Sequence, residues 1–234
     1  MSGLRRWGGV AALVSAACYV FAFVWALAVL VPAGYETGDF EPGDAVAFIA
    51  DNQATMFIWT LVIYLIAGAA LVVLTLALYD RLKALPGHLA QVGAAFGLIW
   101  ATLVIAAGML IILDLGVVAD LFAADPERAE TVWISLNAVE EGLGGGIELP
   151  GGLWLLLVCW AAIGAEGFPK ALGYLGVFIG VIGVLTIIPA TAEVFTSAFG
   201  VLLIVWFTWL GIAMLRDDTA EFETKDSSDP DRER

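Results

Sequence analysis

The sequence is poor in the side chains that bind metals and redox cofactors. Its single histidine, His88, lies beside Pro86 and Gly87. Its two cysteines, Cys18 and Cys159, both fall inside apolar runs. One histidine cannot supply paired haem ligation or a histidine-based zinc site. Two isolated cysteines form neither a CxxC pair nor a disulfide framework. We therefore expect no metal and no other cofactor.

Basic side chains are also scarce, since 10 Lys and Arg stand against 24 Asp and Glu and the net charge is −14. Nucleic-acid binding needs Lys and Arg to neutralise phosphates, so a nucleic-acid partner is excluded. The sequence has no GxSxG elbow with a distant histidine, no Walker loop, no dinucleotide fingerprint and no EF-hand pattern. It therefore disfavours an enzyme, although an enzyme acting on lipid stays open as an alternative.

Apolar side chains are abundant instead. They make up 61% of the sequence and charged ones 15%, against about 45–50% and about 25% in soluble domains. The surrounding medium for much of this surface must therefore be a lipid bilayer. A helix needs about 20 mainly apolar residues to cross the hydrocarbon, and six windows meet or approach that length. They are Gly9–Val31, Ala54–Tyr79, Leu89–Leu113, Leu143–Ala165, Ala171–Ile188 and Val194–Leu215.

The few basic residues predict the orientation of these windows. Nine of the ten fall on one side of the alternating spans, and Arg128 alone falls on the other. Because cytoplasmic loops retain Lys and Arg, we expect both termini to be cytoplasmic in a multi-pass protein of the cell membrane. The nine are Arg5, Arg6, Arg81, Lys83, Lys170, Arg216, Lys225, Arg232 and Arg234.

The sequence thus predicts an all-α fold, a bundle of six transmembrane helices, as one domain over residues 1–215. Residues 216–234 carry almost no apolar side chains after Phe222 and are predicted to form a disordered acidic tail. The two long outward loops are Pro32–Gln53 and Asp114–Gly142. Short helices are expected within them, at Gly43–Asn52 and at Pro126–Glu141.

Glycines recur at helical spacing in two of the windows. Gly173, Gly176, Gly180 and Gly183 share one narrow face in the fifth window, and Gly93 and Gly97 form a GxxxG pair in the third. Small residues allow close backbone contact between helices in lipid, where hydrophobic drive is weak. These faces predict packing inside the bundle. Formation of a homo-oligomer, or docking of a partner membrane subunit, is the alternative.

Carboxyl groups near the fourth window are the candidates for chemistry. Asn137, Glu141 and Glu148 would share one face of a continuous helix, but glycines at 142 and 144–146 interrupt it and Pro150 follows. Broken helices at membrane depth are tolerated where they line a cavity or are buried in protein. Such a site could bind a cation or solute, or relay a proton. The alternative is that the glycines end a surface helix and leave Glu140 and Glu141 in water.

Two further acids lie at predicted outer helix ends. Asp114 directly follows the third window, where an interface position is expected, and Glu193 stands in the turn between the fifth and sixth windows. Whether Asp114, Glu148 and Glu193 converge at one mouth is left open by the sequence.

Three segments carry a family resemblance. They are PGDAVAFIADNQ at Pro42–Gln53, LALYDRLK at Leu76–Lys83, and GFPKALGYLGVFIGVIGVL at Gly167–Leu185, of which GFPKALG is the most specific. The chain resembles the six-helix prokaryotic membrane proteins of domain-of-unknown-function family 4386. This resemblance covers about Gly9 to Leu215. It implies a six-helix fold and supplies neither an activity nor functional residues.

Three functions remain in view. The first is transport of a small solute, a cation or protons with the help of intramembrane carboxylates. The second is a non-catalytic accessory or assembly subunit of a membrane complex, and the third is the lipid-active enzyme.

Overall fold

The computed structural model describes residues 2–33, 41–165 and 167–227. Throughout these ranges the chain is helical and contains no β-strand, which confirms the predicted all-α class. π-Helical turns at Ala26–Leu30 and Leu61–Ile66 lie within longer helical stretches. The α-helices are α1 (Ser2–Trp25), α2 (Pro42–Asp51), α3 (Gln53–Thr60), α4 (Ala67–Leu82), α5 (Leu89–Ala124), α6 (Pro126–Glu140), α7 (Leu149–Ile163), α8 (Lys170–Leu185) and α9 (Ala192–Ser227).

Several helical stretches suit a multi-pass membrane protein. Five are long and apolar enough to cross a bilayer, judged by length and composition: Gly3–Leu30, Gln53–Leu82, Leu89–Ala124, Pro126–Ile163 and Pro189–Arg216. Apolar side chains such as Leu27, Leu113 and Val194 are more than two-thirds exposed, as lipid-facing residues are. The helix of the fifth window, α8, has 16 residues. It is therefore about 24 Å long, short of the hydrocarbon thickness of about 30 Å. The count of six spans stays a prediction.

Glycines bring the helices of the bundle into close contact. A Cβ built on Gly180 of α8 would lie 2.8 Å from the carbonyl oxygen of Gly152 in α7, and one built on Gly152 would meet the backbone of Val184. Gly9 and Gly211 face each other in the same way between α1 and α9. The predicted glycine faces therefore lie inside the chain: Gly173, Gly176 and Gly180 contact α7, Gly183 contacts α7 and Phe199 of α9, and Gly93 and Gly97 contact α7, the latter also α4.

Aromatic rings fill the centre of the bundle. Trp100, Trp154 and Trp206 are almost fully buried, on α5, α7 and α9. Their ring centroids lie 5.7 Å apart for the first pair and 5.8 Å apart for the second. This row of three indoles joins three helices and leaves little space between them.

A second, smaller core lies at the end of the bundle that carries α2 and α6. Buried Val46, Ile49, Leu115, Val118 and Ala129 bring α2, α5 and α6 together. The sequence ends the third helix near Leu113, but α5 continues to Ala124 and has 36 residues. At 1.5 Å per residue it is about 54 Å long and extends beyond a bilayer. The expected short helices of the two loops exist as α2 and α6, and the face they cover explains why α5 continues.

The C-terminal tail is described in part. Its backbone continues α9 past Arg216 as far as Ser227. Residues 228–234 lie outside the described residues. The division of the chain at residue 215 stays a prediction.

Replacing Gly180 by Leu should destabilise the bundle, because the new side chain meets the α7 backbone and cannot be accommodated without separating α7 from α8. Overpacking of this kind costs about 1–3 kcal/mol or more. We expect a lower unfolding temperature in detergent, measured by tryptophan fluorescence. Gly116→Leu is the matched control, since a Cβ at Gly116 meets nothing within 4 Å. Equal unfolding temperatures for the two variants would contradict the proposed role of the glycine contacts.

Candidate functional site

The candidate site begins at the break between α6 and α7. Gly144 has φ 147° and ψ 18°, a conformation that residues with a side chain rarely adopt, so the helix cannot continue through it. Glu148 then caps the start of α7, and Pro150 lies in its first turn, where a missing backbone N–H costs little. The sequence thus ends one helix and begins another within a few residues.

Glu148 is held by one hydrogen bond from α5 and by another that it donates to the residue capping the end of α8. The Trp100 indole Nε1 of α5 donates to the Glu148 carboxyl oxygen Oε2 over 2.8 Å. The Glu148 backbone N–H donates to the Thr186 hydroxyl over 2.9 Å, and that hydroxyl donates to the Gly183 carbonyl over 2.7 Å. Glu148 is 8% exposed. Its carboxyl is therefore fixed in one place in the bundle.

This carboxyl lies beside a candidate membrane span, since its partner Trp100 is part of the apolar stretch Leu89–Ala124. The helix α5 begins at Leu89, after an exposed turn, and its residues Trp100 and Val104 flank the break. These two residues are about 16 Å and about 22 Å along α5 from Leu89. Both distances fall within a hydrocarbon layer of about 30 Å that begins at that turn. A carboxyl at this depth is costly unless it has partners, and it marks a functional site by default.

Two neighbouring cavities surround the break. The central cavity, of about 260 Å³, has one polar side with Glu141, Glu148, Thr196 and Ser197. The acidic-end cavity, of about 80 Å³, has Asp114, Asn137, Glu140 and Glu141. Trp59, Tyr64 and Glu141 line both cavities, so these three side chains form the wall between them. Among the described residues, no Lys, Arg or His lines either one.

The acidic-end cavity contains a carboxyl pair. Asp114 and Glu140 both line this cavity and are close enough to interact electrostatically. One carboxyl oxygen of each, Asp114 Oδ2 and Glu140 Oε1, is buried without a hydrogen-bond partner in the described part of the chain. The pair can therefore accept a proton or a cation.

The structure brings four of the five candidate residues to this region. Asp114, Asn137 and Glu141 line the acidic-end cavity, and Glu148 lines the central one. Glu193 is exposed at the start of α9 and lines neither. The expectation that Asp114 ends its helix is wrong, because α5 continues for several turns beyond it. At about 37 Å from Leu89 along α5, Asp114 lies beyond a hydrocarbon layer of about 30 Å that begins at Leu89.

Sequence reasoning missed the partners of Glu148. Trp100 and Thr186 lie inside apolar windows, and only their polar atoms signal a role, since an indole N–H or a hydroxyl buried in lipid needs a partner. It also missed the aromatic wall of the central cavity, which includes Tyr19, Trp59 and Tyr64. Within the described ranges, no group of three or more His, Cys, Asp or Glu is placed to hold a metal ion.

Comparisons with known proteins give one match. No curated protein and no solved structure matches the chain. A family model described as a domain of unknown function, DUF4386, matches residues 7–216. The resemblance carried by Pro42–Gln53 and Gly167–Gly173 is thereby confirmed. Since the match covers most of the chain, the protein belongs to the DUF4386 family.

Proposed function

We propose that this protein transports a small solute or cation, protons included, through the two cavities, with Glu148 as the central binding group. One observation carries the proposal: a carboxyl that is 8% exposed lines a cavity beside a candidate membrane span. Burying such a group costs free energy. A cation or proton that binds the Glu148 carboxyl offsets this cost. Ligand binding therefore explains a buried carboxyl at this position, whereas bundle packing alone does not.

The acids suggest a route to Glu148. A cation reaching the acidic end first meets the Asp114 and Glu140 pair, and then Glu141, which borders both cavities. From there it passes Trp59 and Tyr64 into the central cavity. No cationic side chain of the described residues opposes it along the way. Each of these carboxylates attracts the cation in turn.

Beyond Glu148, towards the other end, the bundle is closed by the row of Trp100, Trp154 and Trp206. Transport therefore requires a second conformation in which this row opens. Where Gly152 of α7 meets Gly180 and Gly183 of α8, the helices contact each other through their backbones, so a small sliding of one helix on the other meets few side chains at that point. Such a shear would also move Thr186, and with it the backbone of Glu148.

The alternatives have less support in the contacts. If the protein were an accessory subunit, its glycine faces would be expected to dock a partner protein. These glycines instead contact α4, α7 and α9 of the same chain. A lipid-active enzyme needs a base beside a nucleophile. Thr196 and Glu148 both line the central cavity, but the Thr196 hydroxyl donates to the Gly146 carbonyl and the Glu148 carboxyl accepts from Trp100.

We also propose that both termini are cytoplasmic, so that the acidic-end cavity faces outward. Arg81 supports this orientation, since its guanidinium donates to the Gly167 carbonyl over 2.9 Å and lies 5.5 Å from the Phe168 ring centroid. Basic groups of α4 thus lie beside the start of α8, at the end where α1 begins. Clustered basic residues at one end are typical of the cytoplasmic side.

Cysteine labelling in intact cells should reveal this orientation. Thr131→Cys places a thiol on the exposed face of α6, and His88→Cys places one in the exposed turn before α5. The native Cys18 and Cys159 are buried and give little background. We expect a membrane-impermeant maleimide to label the first variant in intact cells and the second only after lysis. The reverse pattern would overturn the proposed orientation.

Replacing Glu148 by Gln should abolish cation flux while the bundle stays folded, because Gln keeps the shape and can accept from Trp100 but carries no charge. In proteoliposomes with an imposed membrane potential, we expect proton or sodium flux to fall by at least about tenfold, which corresponds to ~1.4 kcal/mol. Internal pH dye and radioactive sodium are the readouts.

Glu127→Gln is the matched control, since Glu127 is exposed on α6 and lines neither cavity. It should retain the flux of the unaltered chain. Equal flux through the Glu148 and Glu127 variants would sink the proposal. It would also be sunk if the unaltered chain carried protons, sodium and radiolabelled choline no faster than empty vesicles do. Unfolding temperatures of all three proteins separate loss of function from loss of fold.

A further inference from the structure

The walls of the central cavity differ from those of a site for a bare metal ion. Tyr19, Phe23, Trp59, Tyr64 and Phe199 contribute aromatic rings to it. A hard metal cation needs a shell of about six to eight oxygens. Here one carboxyl oxygen already accepts from an indole, and most of the remaining surface is carbon. The cavity suits a ligand that has carbon groups as well as a charge.

The charge of that ligand must be positive. Glu148 and Glu141 are the ionisable groups that line the cavity beside the tyrosines, and no described cationic side chain balances them. A ligand cation next to Glu148 would pair with a carboxyl that is otherwise buried among apolar side chains. Aromatic ring faces attract cations through their quadrupole, most strongly where water is excluded. The carboxyl and the aromatic rings therefore both favour a cationic ligand.

The ring geometry favours a compact cation with carbon substituents. Trp59 and Tyr64 meet at an interplanar angle of 65° with centroids 6.1 Å apart, so their planes form two sides of a corner. Both rings are partly exposed, as is Tyr19 of α1. The volume of about 260 Å³ lies just below the roughly 300–1,000 Å³ of sites for drug-sized ligands. The ligand is therefore smaller than those.

We propose that the central cavity is a binding site for a small organic ammonium ion, held by the Glu148 carboxyl and by the rings of Tyr19, Trp59 and Tyr64. This inference names the substrate class for the site of the proposed transport function and rests on that function for its role. The cation contacts the carboxyl, and its carbon groups lie against the rings. Access is from the acidic-end cavity, past the wall that Glu141 shares with Trp59 and Tyr64.

The test uses the full chain in detergent and choline as the probe, with isothermal titration calorimetry as the readout. The alcohol 3,3-dimethyl-1-butanol, in which a carbon atom replaces the choline nitrogen, is the matched uncharged ligand. Sodium chloride controls for ionic strength. We expect saturable binding of choline and at least tenfold weaker binding of the uncharged analogue. Absence of choline binding, or equal binding of the analogue, would overturn the proposal.

Variants assign the binding to this cavity. Glu148→Gln should weaken choline binding by at least about tenfold. Trp59→Leu should weaken it by about twofold to thirtyfold, the range that cation–π attraction of ~0.5–2 kcal/mol gives. Phe178→Leu is the control, since Phe178 is exposed on α8 and lines no part of this cavity. Unchanged affinity in both cavity variants contradicts the assignment, and Trp59→Leu still tests it if Glu148→Gln does not fold.

This experiment is separate from the flux measurement. Choline binding without any flux of protons, sodium or choline in proteoliposomes would support the ammonium site and overturn the proposed transport function. Proton or sodium flux that depends on Glu148, without choline binding, would support the proposed transport function and overturn the ammonium site.

Discussion

The hydrogen bond from the Trp100 indole to the Glu148 carboxyl joins α5 to the break that precedes α7. In a bilayer, a broken helix needs protein partners for its free polar groups. At this break Trp100 satisfies the carboxyl, Thr186 accepts from the Glu148 backbone, and the Thr196 hydroxyl donates to the Gly146 carbonyl over 2.7 Å. Partners from α5, α8 and α9 thus make the interruption tolerable, and the same partners place a carboxyl on the wall of a cavity.

Close glycine packing makes these partnerships possible. Thr186 reaches Glu148 because α8 lies against the first turns of α7, where Gly152, Gly180 and Gly183 allow backbone contact. A larger side chain at any of these positions would move α8 away and remove the acceptor from the Glu148 N–H. The position of Glu148 therefore depends on the packing of α8 against α7. A shear between α7 and α8 is correspondingly a means by which the environment of Glu148 could change.

Much of the helical framework could be predicted from the sequence. The apolar windows, the short helices α2 and α6, and the glycine-rich interruption before Glu148 all follow from composition and spacing. The end of α5 could not be predicted, since Leu115 and Val118 look like lipid-facing residues until α2 and α6 are seen to cover them. The count of spans also depends on more than pattern, because α8 is shorter than a bilayer is thick.

The sequence by itself determined that the chain is helical and apolar enough for a membrane, and that a carboxyl follows a run of glycines at the start of the fourth apolar window. Only the tertiary structure decided what surrounds that carboxyl: Trp100 is 48 residues away along the chain, and Thr186 is 38 residues away. It also decided that Asp114 lies beside Glu140 and that Glu193 lies elsewhere. The physical reason is that in lipid both the packed and the exposed faces of a helix are apolar. The hydrophobic pattern therefore does not fix how each helix is rotated, and only the packed bundle fixes which polar groups meet.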